Sequence, residues 1–200
     1  AIKAIIAGTK ALITAIIAGG WIVVVIIVVV CLVALLVSSI FGIFFSSEDT
    51  GSGRTMNSVV TELNNEMATK ISNIQKENTY DDYVIDSNKA EWKDILAVYT
   101  VKVSNGNNQT EVMTLDDNKV SILKTVFWDM NSITSEVKEK MVNEEQTENG
   151  TPVIKQVKKK ILHINITSKT VDEMITQYRF TPMQKQQLNE LLSEEYASLW

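Results

Sequence analysis

The pattern of apolar and polar positions divides the chain into two unequal parts. Residues 21–45 contain no charge: a β-branched run at 22–30 leads through Cys31 to Val37, and after Ser38 and Ser39 the apolar stretch IFGIFF completes twenty-five residues. A helix of that length measures about 37 Å, enough to cross ~30 Å of hydrocarbon with some tilt. A strand would be far outside the usual ~3 to 10 residues. The pattern therefore predicts a transmembrane helix over 21–45. Ahead of it, IKAIIAG and TKALITAIIAG nearly repeat, and Lys3 and Lys10 share one helical face. An amphipathic helix over 1–20 follows, lying on the membrane surface or turning back at Gly19-Gly20 as a second crossing. The cost of holding a lysine at mid-bilayer, about 2.5 to 3.5 kcal/mol each, favours the surface position. Lys3 and Lys10 outnumber the downstream Arg54, so the expected arrangement is single-pass at the cell membrane. The N-terminus is then cytoplasmic and the C-terminal domain extracytoplasmic.

Beyond a flexible linker at 46–56, SSEDTGSGR with Gly51 and Gly53, the pattern changes to amphipathic elements separated by polar breaks. Val60, Leu63, Met67, Ile71 and Ile74 recur at steps of three and four and predict a helix over 57–77. Residues 78–88 read as a loop. A helix over 89–103, capped by Asn88 or Ser87, carries Trp92, Ile95, Leu96, Tyr99 and Val103 on one side, and Asn105-Gly106 ends it. Thr114 and Asp117 suggest a helix start, followed by the stripe Val120, Leu123, Phe127, Met130 and Ile133. Segments 136–142 and 153–166 are rich in Val, Ile and Lys on either side of Asn149-Gly150, which predicts a β-hairpin with a longish tip. The apolar phase shifts from Val153, Val157 and Ile161 to Leu162, Ile164 and Ile166, which suggests a bulge near Ile161. Two capped helices close the chain. Thr170 and Glu173 form one capping box, Thr181-Pro182 with Gln184 forms another, and Leu188, Leu191, Leu192 and Leu199 line one face. The expected fold class is α+β: a single transmembrane helix, then a mainly helical extracytoplasmic domain at 57–200 with one β-hairpin.

Composition removes several kinds of function. The mean hydropathy of +0.03 averages a nearly uncharged first quarter with a polar remainder. The net charge of -5 comes without any long run of like charges, so no nucleic-acid partner is expected. Cys31, the single cysteine, lies in the apolar run, which removes thiol catalysis, disulfides and cysteine metal sites from the polar region. His163 is the single histidine and sits between Leu162 and Ile164 without a GxSxG elbow anywhere, so it reads as a structural residue on the less buried face of a strand. One histidine cannot build a familiar zinc site. Carboxylates are plentiful, and their spacing singles out no pair for glycoside hydrolysis. Glu194 and Glu195 read as solvated helix charges, Asp116 and Asp117 as helix-start residues. Lys158 to Lys160, set against Glu136, Glu139, Glu144 and Glu145, read as cross-strand pairing, with a basic patch for wall polymers or anionic lipid as the alternative. No catalytic, cofactor-binding or metal-binding residue is assigned, and no cofactor is expected.

AGGWIVVVIIVVVCLVALL, EDTGSG, ILAVYTVK, MTLDD, FWDMN and ITSKTVDEMITQYRFTPMQKQQLNELLSEEYASLW together resemble the N-terminal region of membrane-anchored peptidoglycan hydrolases of Gram-positive integrative conjugative elements. The resemblance runs over essentially the whole chain. It implies a non-catalytic anchor and spacer preceding a wall-cleaving domain, often of the CHAP amidohydrolase type, with the lipid bilayer, peptidoglycan and conjugation-channel proteins as partners. The catalytic residues of such proteins belong to the downstream domain, so none transfers here. The start at Ala1 and the end at Trp200 inside a helical pattern read as a fragment of something longer. ILAVYTVKVSNG also looks like the lysozyme-type helix that carries a catalytic Glu, but Lys102 stands at the acid's place. The rival readings are a stand-alone interaction subunit of a conjugation or secretion channel and an independent glycosidase.

Overall fold

The computed structural model describes residues 54–104, 115–148, 151–194 and 196. They form helix α1 (Met56–Glu77), strand β1 (Asp82–Ser87), helices α2 (Trp92–Val103) and α3 (Asp117–Met130), the long strands β2 (Asn131–Glu148) and β3 (Thr151–Ser168), and helices α4 (Val171–Gln177) and α5 (Pro182–Leu191).

This α+β arrangement of five helices and a three-stranded sheet corrects the expected single-pass membrane fold and localisation. No helix among the described residues is long and apolar enough to cross a membrane. Helix α1, with 22 residues, has the length, but Glu62, Glu66, Lys70, Lys76 and Glu77 make it amphipathic. The segments assigned to an N-terminal helix (1–20), a membrane helix (21–45) and most of a linker (46–56) lie outside the described residues. The end of that linker belongs to the fold: Thr55 caps α1, its hydroxyl accepting from the Ser58 N–H while the Ser58 hydroxyl oxygen accepts from the Thr55 N–H, both at 3.2 Å.

The helical body is built around α2. Ile95, Ala97, Val98 and Val101 have no exposed surface, because α2 packs on α3, α4 and α5. Trp92 stacks on Phe127 with ring centroids 5.3 Å apart, and Phe127 and Trp128 meet in a T-shaped pair at 5.0 Å. Val59, Leu63 and Met67 of α1, Met174 of α4, and Leu188 and Leu191 of α5 close the same core. Apolar residues at three- and four-residue steps thus supply the burial that holds short helices folded. Leu199 and Asn105-Gly106 lie outside the described residues, as does Thr114. Asp116 is the actual cap of α3, its carboxylate accepting from the Lys119 N–H at 2.9 Å.

Both closing capping boxes are present, at Thr170/Glu173 and Thr181/Gln184. Between them α4 ends in a Schellman motif: the Phe180 N–H donates to Ile175 O at 3.1 Å and the Arg179 N–H to Thr176 O at 3.2 Å. Arg179 takes φ 53°, the left-handed conformation that this motif imposes and that glycine normally fills. Phe180 is thereby turned into the core.

The sheet order is β1-β3-β2, with β1 parallel and β2 antiparallel to β3. Strand β1 occupies the segment expected to be a loop. It pairs with 161–166 of β3, and its ladder is extended by Asp81 N–H to Lys160 O and Asn88 N–H to Ile166 O, each 2.9 Å. Helix α2 begins at Trp92, three residues later than expected, because Asn88 and Ala90 are committed elsewhere. Its cap is Glu91, without a side-chain bond. Ile133, expected on α3, belongs to β2 and packs its side chain against the helical core.

The register of β2 with β3 is continuous from Asn131↔Ser168 to Glu148↔Thr151. No bulge occurs at Ile161, and two residues separate the strands where a longish tip was expected. The phase change has another cause. Leu162, Ile164 and Ile166 are buried on one face of the sheet, whereas Val157, directly opposite Val142, is half-buried on the other. Ten residues of each strand, 139–148 and 151–160, extend beyond the end of β1 as a two-stranded arm of about 34 Å.

Candidate functional sites

The acidic residues raised by the sequence are dispersed. Asp116 is committed to its cap, and Asp117 lies 4.0 Å from Arg54 on the surface. Glu194 is exposed, and Glu195 lies outside the described residues. His163 faces Glu136 across β2 and Val84 across β1, on the face opposite Leu162 and Ile164. Among the described residues, no three His, Cys, Asp or Glu side chains gather as a metal site would require.

The lysines and glutamates of the arm pair much as their spacing suggests. Lys158 bridges to Glu139 and Lys159 to Glu144 at 2.7 Å, while Lys155 reaches Glu148. Glu136 instead meets Lys138 of its own strand. Hydrogen bonding to Lys158 holds the Glu139 carboxyl below its ordinary range, and Glu144 raises the Lys159 ammonium. A basic patch is therefore largely neutralised within the arm.

Lys102, at the place of a lysozyme-type acid, lies with Nζ 3.5 Å from the centre of the Tyr178 ring. The Tyr178 hydroxyl donates to Asp129 Oδ2 at 2.7 Å. Burial lowers the Lys102 pKa against the pull of Asp129, and burial together with the bond to Asp129 raises that of Tyr178. The cluster ties α2, α3 and α4 together and offers no carboxylic acid poised to protonate a leaving group.

Two surfaces escaped sequence reasoning. One is an open trough of about 430 Å³ between α1 and the start of β2, bordered by Lys70, Asn73, Glu77, Trp128 and Ser132. Its aromatic wall is already engaged: Lys70 Nζ lies 3.6 Å from the ring centre of Trp128, whose indole N–H donates to Glu66 at 3.2 Å. The other is β1. All six of its residues are exposed, including the large apolar side chains of Tyr83, Val84 and Ile85. The signal was the YVI core of DYVIDS, three residues of high strand propensity set among acids.

No family model, no curated protein and no solved structure matches the chain.

Proposed function

We propose that this domain is a non-catalytic spacer and docking module of a peptidoglycan hydrolase associated with conjugative transfer. The observation that carries the reading is the architecture itself: a helical body closed by capped helices, from which a continuous ladder extends about 34 Å as a two-stranded arm. Such a body holds a neighbouring domain at a distance, and such an arm offers contact surface without a reaction centre. The resemblance of segments such as ITSKTVDEMITQYRFTPMQKQQLNELL to wall-hydrolase spacers supports the same role. That segment spans the end of β3, α4 and α5.

Zymography of the full chain on purified peptidoglycan is the test. No clearing is expected, and clearing that disappears on substitution of a single Glu or Asp overturns the reading in favour of a glycosidase. A second reading, a stand-alone interaction subunit of a conjugation or secretion channel, is favoured by the exposed apolar residues of β1 and by Met141 and Ile154 on the arm, 55% and 74% exposed. Co-purification of channel proteins with the full chain distinguishes it.

A further inference from the structure

We infer that the open edge of β1 is a docking site for an extended basic peptide, which adds to the sheet as a fourth strand. The inference stands on β1 alone and goes beyond the spacer role.

Open sheet edges expose unpaired backbone donors and acceptors, and folded proteins protect them with lysines, prolines, bulges or a covering element. Among the described residues the sheet has three open edges, and two carry lysines. The outer edge of β2 alternates Glu136, Lys138, Glu139 and Lys140. The outer edge of β3 along the arm begins with Pro152 and continues through Lys155, Lys158 and Lys160. Strand β1 has no lysine, no proline and no break in its register from Asp82↔Ile161 to Ser87↔Ile166, and its charges, Asp82 and Asp86, are of one sign. Its backbone is held straight on one side by β3, with Asp81 and Asn88 fixing both ends. The Tyr83 N–H already donates to Asp82 Oδ1 at 2.8 Å, so the template for main-chain pairing is the stretch 84–87.

The side chains along the edge define the occupant. Tyr83 and Ile85 lie on one face and Val84 on the other, at 48%, 39% and 42% exposure, so an added strand finds apolar contact on both faces. Asp82 and Asp86 flank them, Asp81 precedes them, and all three are exposed, with one oxygen of Asp81 accepting the Lys160 N–H at 2.7 Å and one of Asp82 the Tyr83 N–H at 2.8 Å. Lys159, already bound to Glu144, feels Asp81 and Asp82, and no ion pair among the described residues engages Asp86. The charge complement of this edge is a strand in which Lys or Arg alternates with apolar residues.

The full chain is mixed with a capped hexapeptide alternating Lys and Val, and with a Glu-Val control, while backbone hydrogen exchange is followed residue by residue. The Lys-Val peptide should slow exchange within Asp82–Ser87 at least fivefold and leave β2 unchanged. Its affinity should fall about tenfold in the Asp82→Asn, Asp86→Asn double variant, which keeps the strand's shape. Protection appearing on β2 instead, no protection at millimolar peptide, or equal protection by the Glu-Val peptide overturns the inference. None of these results bears on wall cleavage, so the spacer reading is judged separately.

Discussion

The side-chain carbonyl of Asn131 accepts the backbone N–H of Ala90 at 2.9 Å, while its amide donates to Phe127 O at the same distance. One buried side chain thus caps the end of α3, begins β2 and fixes the approach to α2. Replacing Asn131 with Leu leaves a buried N–H without its acceptor, which costs about 1 to 3 kcal/mol. Urea unfolding should show a lower midpoint with an unchanged slope, and Asn131→Asp should also destabilise because a carboxylate cannot donate to Phe127 O.

Arg179 predicts the opposite sign. A residue with a β-carbon in the left-handed region is strained by about 1 kcal/mol, and the Schellman motif gives it no alternative. Arg179→Gly should raise stability by about 0.5 kcal/mol, after allowance for the greater freedom of glycine in the unfolded chain. Thermal unfolding of the two proteins checks it, and a lower midpoint in the variant counts against it.

Glu66 gives a pH dependence. Its carboxyl is held below the ordinary 4.5, first by hydrogen bonding to Lys124 and then, against some burial, by Trp128. The fold therefore binds this proton less tightly than the unfolded chain does. The resulting stability is present above pH 4.5 and is lost as pH falls through the lowered value. Lys124 is half exposed, so the contribution is about 0.5 kcal/mol. Glu66→Gln should be less stable than the parent at pH 7, and the gap should narrow as pH falls below 4.5, by urea unfolding at each pH.

The arm is predicted to be dispensable for the body. Removing 141–148 and 151–158 joins the opposed pair Lys140 and Lys159 through Asn149-Gly150 and leaves the strand register intact. Because the arm carries surface ion pairs and little buried apolar area, unfolding should stay cooperative, with stability changed by less than about 0.5 kcal/mol. Loss of cooperativity would show that the arm helps nucleate the core.

All five helices were legible, four of them because their apolar faces do two jobs at once: Val120, Leu123 and Phe127 mark the period and also form the contact. Both threonine capping boxes were legible for a similar reason, since their bonds span three residues. Strand β1 was not, because its six residues are all exposed and its strand character comes from β3, some eighty residues away. The true start of α2 was hidden by Asn131, whose side chain claims the N–H of Ala90 from a distance of 41 residues. A bulge was inferred at Ile161 because apolar residues on two faces of one unbroken strand imitate a shift of phase.

The unbroken register of β2 and β3 also limits how this molecule can change. Inserting one residue into each strand would turn every side chain beyond it to the opposite face, whereas inserting two preserves both faces. Changes that keep both faces therefore lengthen or shorten the arm in steps of about 7 Å. Its reach is graduated like a ruler, and the spacing between whatever it joins can be reset without touching a residue of the helical body.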